Sequence, residues 1–193
     1  MIISKRHGFI FVAVGRTGTT SIEAALQPFD DYQNMECELD YKGHAPLSEL
    51  QGQVDLENYY KFGFVRNPWD LAVSKYLFHK SSILTSVVNR TPLKKLFFRK
   101  WVKGESTAKK FAQDSESLSN LNIQYEYPLI DMHDFFTSKK GRLIVDDIFR
   151  FENIKNDFKK ALEKIGLNKV GLPHKNRSRK KWKGISSYKD LKE

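Results

Sequence analysis

Phe9-Ile10-Phe11-Val12-Ala13-Val14-Gly15-Arg16-Thr17-Gly18-Thr19-Thr20-Ser21 is the stretch on which the reading of this chain turns. It opens with a short, unbroken apolar run, the pattern of a strand buried on both faces of a parallel sheet. Glycine ends the run, and a polar turn follows. Ser21-Ile22-Glu23-Ala24-Ala25-Leu26 then reads as a helix that Pro28 stops. A buried strand, a glycine-bearing turn and a helix start make an anion site, because unpaired N–H groups and the positive end of the helix dipole meet there. Gly15 and Gly18 let the backbone approach a phosphate. Thr19, Thr20 and Ser21 add hydroxyl donors, and Arg16 adds a charged one. The loop lacks the terminal Gly-Lys-Ser/Thr of a Walker A motif and the third glycine of a dinucleotide fingerprint.

Similar units recur along the chain. Tyr60-Lys61-Phe62-Gly63-Phe64-Val65 reads as a second strand, followed by Arg66-Asn67-Pro68-Trp69-Asp70. Asn67 is a capping residue, Pro68 suits the first helical position, and Asp70 suits the first turn. The helix should run to about His79 and bury Trp69, Val73, Tyr76 and Leu77 on one face. Thr91-Pro92 starts a further helix carrying Leu93, Leu96, Phe97 and Val102. Leu143-Ile144-Val145 and Ile148-Phe149-Arg150-Phe151 read as strands. Asn153 to Ile165 is an amphipathic helix with Ile154, Phe158, Leu162 and Ile165 on its inner stripe, ended by Gly166. Strands alternating with helices predict one α/β domain over residues 1–193, with a mainly parallel central sheet flanked by helices.

Composition bounds what such a domain can do. The chain has 193 residues and a formal net charge of +10, which draws anionic partners such as nucleic acid, acidic lipid or phosphorylated small molecules. Its single cysteine, Cys37, excludes an intrachain disulfide and a cysteine-rich metal site. Charge interrupts the N-terminal segment before any apolar run, and no apolar stretch has membrane-spanning length. The expectation is a soluble, cytoplasmic protein.

A second anion clamp follows from Arg66 and Ser74, eight positions apart at the start of one helix. At about 1.5 Å rise per residue, both reach one anion near the first two turns. With these residues the chain resembles the PAPS-dependent sulfotransferases, especially those acting on carbohydrate hydroxyls; PAPS is 3′-phosphoadenosine 5′-phosphosulfate. The first signature, strand, Lys-x-Gly-(Gly/Ser/Thr)-Thr-Ser and helix, is matched by Arg16-Thr17-Gly18-Thr19-Thr20-Ser21. The second, a strand before Arg-(Asn/Asp)-Pro with a serine eight residues after the arginine, is matched from Arg66 to Ser74. Phe149-Arg150-Phe151-Glu152-Asn153-Ile154 and Leu172-Pro173-His174-Lys175-Asn176-Arg177-Ser178 are weaker similarities.

The resemblance implies a P-loop-like sulfotransferase fold and an enzyme that moves a sulfuryl group from PAPS to an acceptor hydroxyl. It implies that Gly15, Arg16, Thr17, Gly18, Thr19, Thr20 and Ser21 bind the 5′-phosphosulfate, and that Arg66 and Ser74 bind the 3′-phosphate. It also implies that a basic segment, 174–193, covers the nucleotide, with Arg177 and Lys180 as candidate contacts. The product would be 3′,5′-diphosphoadenosine, with no metal required. The family usually has lysine where this chain has Arg16; arginine keeps the charge and adds a planar fork.

An acceptor hydroxyl needs a base, and His44 is the first candidate, since histidine titrates near neutrality and carbohydrate sulfotransferases can carry one at a similar place. Glu36, Glu38 and Asp40 are rivals; His7, His79 and His133 lack supporting context. Three other readings compete. A small-molecule kinase would need the missing Walker lysine and Mg²⁺, and a sulfotransferase-like protein could bind nucleotide without catalysis. A nucleic-acid binder would use the charge but leave both signatures unexplained. The leading expectation is a carbohydrate or small-molecule acceptor with no nucleic-acid partner.

Overall fold

The computed structural model describes residues 1–35, 42–71, 74 and 132–175. Residues Met1–Asn67 with Ile130–Arg177 form one compact unit, and Pro68–Leu129 with Ser178–Glu193 form a second. The first unit is an α/β layer structure built on a four-stranded mixed sheet. Its elements are β1 (Ile2–Ser4), β2 (Phe9–Val12), α1 (Thr19–Leu26), β3 (Tyr60–Val65), β4 (Asp147–Arg150) and α2 (Ile154–Lys164). The strand order is β1-β2-β3-β4. β1 pairs antiparallel with β2, with Ile2 opposite Phe11. β2, β3 and β4 run parallel, with Phe11 opposite Phe62 and Phe64 opposite Phe149.

The apolar run that opened the sequence reading is buried on both faces, and side-chain alternation divides it between two cores. Phe9, Phe11 and Ala13 point to one side with Phe62, Phe64 and Phe149, where α1 and α2 cover them with Ile22, Ala25, Leu26, Phe158, Ala161 and Leu162. Ile10, Val12 and Val14 point to the other, against Leu47, Leu50, Phe135 and Phe136 from short 3₁₀ turns. The helix-facing side carries a ladder of phenylalanines, with Phe11–Phe62 and Phe64–Phe149 ring centroids each 5.5 Å apart. Such pairs contribute about 0.5–1.5 kcal/mol each beyond the area they bury. On the opposite face Gly63 leaves a hole in β3: a Cβ there would stand 2.4 Å from the Phe136 ring.

α2 follows its predicted stripe. Phe158, Ala161, Leu162 and Ile165 are buried, and the helix ends in a Schellman turn at Gly166 (φ 72°). The Leu167 N–H donates to the Leu162 carbonyl at 2.9 Å, and the Gly166 N–H donates to Glu163 at 3.3 Å. At its start, the buried carboxylate of Asp157 accepts the Arg150 N–H (3.2 Å) and the Asn153 side-chain amide (2.9 Å), which ties the helix to the end of β4.

Two expectations are corrected, and one element is added. Residues Leu143-Ile144-Val145 are not a strand: Leu143, just after the turn at Gly141, makes only an isolated bridge to Thr137 and is 53% exposed, while Ile144 and Val145 pack against the second core. β4 begins at Asp147 instead. Trp69 is not on a buried face. It is 66% exposed, while Leu71, on the other side of the same helical turn, is buried. β1 was not anticipated, since three residues are too few to show a period. The rest of the helix to His79 and the expected helix at 91–102 lie outside the described residues. Among the described residues, no helix is long and apolar enough to cross a membrane.

Candidate functional site

Three parallel strands end at the same edge of the sheet, and each is followed by a segment that carries a site residue. The loop after β2 holds Gly15 to Gly18, the segment after β3 holds Arg66 and Asn67, and the segment after β4 holds Phe151 and Glu152. Ligands of open α/β sheets bind at these carboxyl ends.

The loop holds its shape through its own side chains. The Thr17 and Thr19 hydroxyls both donate to the Val14 carbonyl, at 2.8 and 2.5 Å, so a single acceptor gathers the turn. Both side chains are buried, and their hydroxyls are turned into the loop. Thr20 is exposed at the first turn of α1. Gly18 is the helix N-cap in the left-handed region (φ 84°), with no capping side chain. A Cβ on Gly18 would lie 2.4 Å from Ile154 Cδ1 and 3.2 Å from the Phe151 ring, so a side chain there meets both a strained backbone and neighbours that must shift. Gly15 is less demanding: its Cβ would meet only the His44 ring, at 3.9 Å.

Arg16 also has a left-handed backbone (φ 68°), uncommon for a residue with a Cβ. Its guanidinium is half-buried. Burial and then the nearby Arg66 cation hold it below the ordinary arginine range. Arg66 Nη1 donates to the Arg16 carbonyl at 3.2 Å. The Arg66 guanidinium lies over the Phe151 ring, 4.3 Å from its centroid. Two cations therefore share one corner of the sheet edge, an arrangement that an anion would stabilise. Asn67 donates its backbone N–H to Glu152 Oε1 at 2.7 Å. Ser74 is helical and half-buried in the second unit.

His44 reaches the same loop from the other face of the sheet. Its Nδ1 is 2.9 Å from the Ala13 carbonyl. A carbonyl only accepts, so a neutral imidazole carries its proton on Nδ1 and its lone pair on Nε2. The Cε1–Nε2 edge of the ring lies toward Gly15, both atoms 3.9 Å from the position of a Cβ there.

Ser21 is engaged elsewhere. Its Oγ accepts the Lys175 N–H at 3.1 Å, which sets the chain before the basic run against the start of α1. Arg177, Lys180, Glu36, Glu38, Asp40 and His79 lie outside the described residues. His7 packs edge-on against Phe29, and His133 is exposed near Asp134. A surface depression of about 310 Å³ lined by Lys5, Arg6, Asp31 and Met35 lies beside the β1–β2 turn, at the far ends of the strands from the loop. The Arg6–Asp31 ion pair (3.1 Å) occupies that corner. The same far end holds Asp147, which accepts the Tyr60 hydroxyl and pairs with Lys164. Burial, then that hydrogen bond, pushes the Tyr60 phenol well above its ordinary range.

Phe151 and Glu152 had no assigned role in the sequence reading. Their signal was available as position: they are the first residues after the third parallel strand, as Arg66 is after the second.

The chain matches the model of the sulfotransferase family over residues 1–191 and belongs to that family. No curated protein and no solved structure matches it.

Proposed function

We propose that this member of the sulfotransferase family transfers the sulfuryl group of PAPS to a hydroxyl, on a carbohydrate acceptor, by in-line displacement. The observation that carries the reading is the hydrogen bond from Arg66 to the Arg16 carbonyl. It joins the two signature segments, 50 residues apart, at one end of the sheet. A single anion loop suits any phosphate, whereas two adjacent guanidinium groups on two loops suit a ligand with phosphates at two positions.

Within the first unit, the N–H groups at the start of α1, Arg16 on the loop and Arg66 just after β3 support such a ligand. In this reading Arg16 and the loop amides hold the 5′-phosphosulfate, and Arg66 with Ser74 holds the 3′-phosphate. Arg177 and Lys180, which lie outside the described residues, are further nucleotide contacts in this reading. His44 Nε2 takes the proton of the acceptor hydroxyl as its oxygen bonds to sulfur. The bond from sulfur to the bridging oxygen breaks, and 3′,5′-diphosphoadenosine leaves with the added charge on that oxygen. Arg16 stabilises that charge more in the transition state than before it, which is what accelerates the reaction.

Calorimetric titration of the full chain tests this. 3′,5′-Diphosphoadenosine should bind far more tightly than ADP, and sulfuryl transfer to an oligosaccharide should persist in EDTA. Equal affinity for ADP, or turnover abolished by EDTA and restored by Mg²⁺ with ATP, would favour a kinase and sink the proposal.

A further inference from the structure

We infer that Phe151 and Glu152 are positioning residues, and that the segment after β4 holds the anion loop and Arg66 in fixed register with each other. Three contacts carry this. The Phe151 ring lies under the Arg66 guanidinium, 4.3 Å from centroid to Cζ. The same ring abuts Gly18, since a Cβ there would stand 3.2 and 3.3 Å from two ring carbons. The adjacent Glu152 carboxylate accepts the Asn67 N–H at 2.7 Å and so fixes the backbone just after Arg66.

With the Arg66 to Arg16 bond, these contacts close a circuit: Arg16 carbonyl, Arg66 guanidinium, Phe151 ring, Gly18 turn. The loop after β2 and the segment after β3 cannot shift separately without breaking one link. Arg66 is a long, flexible side chain, and its guanidinium plane is set by the ring beneath it and the carbonyl at its edge before any ligand arrives. Ordering a side chain in advance removes that cost from binding. A ring that fixes one cation relative to one loop fixes the spacing of two anion positions, which is the quantity that separates a ligand with two phosphate sites from a ligand with one.

The functional consequence rests on the proposed donor. The experiment therefore has two readouts on the full chain. The first is the affinity ratio of 3′,5′-diphosphoadenosine to AMP. Phe151→Leu keeps apolar bulk but loses the π face and should reduce the ratio by about tenfold, the scale of one desolvated cation–π contact. Phe151→Tyr should keep it. Glu152→Gln, which retains an acceptor for Asn67, should keep more of it than Glu152→Ala. A lowered Tm with an unchanged ratio in Phe151→Leu would show a purely structural ring and overturn the inference.

The second readout needs no nucleotide. The Arg66 side-chain proton resonances should be shifted upfield by the ring current in the ligand-free protein. Phe151→Leu should remove that shift, and Phe151→Tyr should preserve it. Its absence from the wild-type chain overturns the inference, even if the preference for two phosphates stands. Its presence in a chain that binds both nucleotides equally supports the brace and sinks the donor reading instead. Should Phe151→Leu fail to fold, the tyrosine variant and the wild-type spectrum still decide.

Discussion

Arg66 donates a hydrogen bond to the backbone carbonyl of Arg16, so the side chain of one site arginine is held by the main chain of the other. The bond spends none of the Arg16 charge, and it brings both cations to one corner. Burial and mutual repulsion lower the Arg16 proton affinity there, yet an arginine remains charged at any physiological pH.

Arg66 is the residue whose loss should be most informative. Arg66→Ala removes a charge-assisted donor worth about 1.5–3 kcal/mol and should weaken 3′,5′-diphosphoadenosine by roughly 10- to 100-fold, with AMP nearly unaffected. Arg66→Lys should recover only part of the loss, because an ammonium cannot both stack on Phe151 and fork toward a carbonyl and a phosphate. Calorimetry with both nucleotides checks it.

His44 should carry the proton-transfer step of turnover. His44→Ala should lower kcat by about 10²–10⁴-fold and leave nucleotide affinity close to wild type. Steady-state kinetics beside calorimetry checks it, and an unchanged kcat would remove His44 from the chemistry.

The two loop glycines should respond differently to the same change. Gly18→Ala meets both a left-handed backbone and a 2.4 Å clash with Ile154, and should cost about 1–3 kcal/mol. Gly15→Ala meets only van der Waals contact with His44, and should change stability by less than about 1 kcal/mol. Urea denaturation of the two variants side by side measures the contrast.

Acid sensitivity should centre in part on Asp157. Burial pushes its carboxyl up, but the Arg150 N–H, Lys160 and Asn153 outweigh that and hold it below its ordinary range. A carboxyl lowered on folding adds stability that is complete above the unfolded value and lost as pH falls through the folded one. Asp157→Asn should therefore lower Tm at neutral pH, and the gap to wild type should close as the solution is acidified below the ordinary carboxylate range. A gap that is constant with pH would remove the charge from the argument.

How much was legible in the sequence follows from what each feature depends on. β2 and the stripe of α2 could be read because continuous burial and 3.6-residue periodicity are properties of the local string. The loop was legible for the same reason: strand, glycine turn and helix are consecutive. β1 is too short to carry a pattern, and Leu143 looked like strand because apolarity alone does not record exposure. The inward turn of the Thr17 and Thr19 hydroxyls and the pairing of Ser21 with Lys175 arise only once the loop closes on itself and on a distant segment. The contact of Phe151 with both Gly18 and Arg66 is tertiary, and no spacing in the chain encodes it.

Under the proposed mechanism, the left-handed backbone of Arg16 sets a compromise between durability and activity. Glycine at this position would relax about 1–2 kcal/mol of strain and remove the cation in the same step. Arg16→Gly should therefore yield a protein that melts higher and turns over poorly, the pattern of a site tuned for chemistry at the expense of the fold. Selection for heat resistance alone would drift toward that inert form, so any effort to harden this chain should hold position 16 fixed and seek its gains elsewhere.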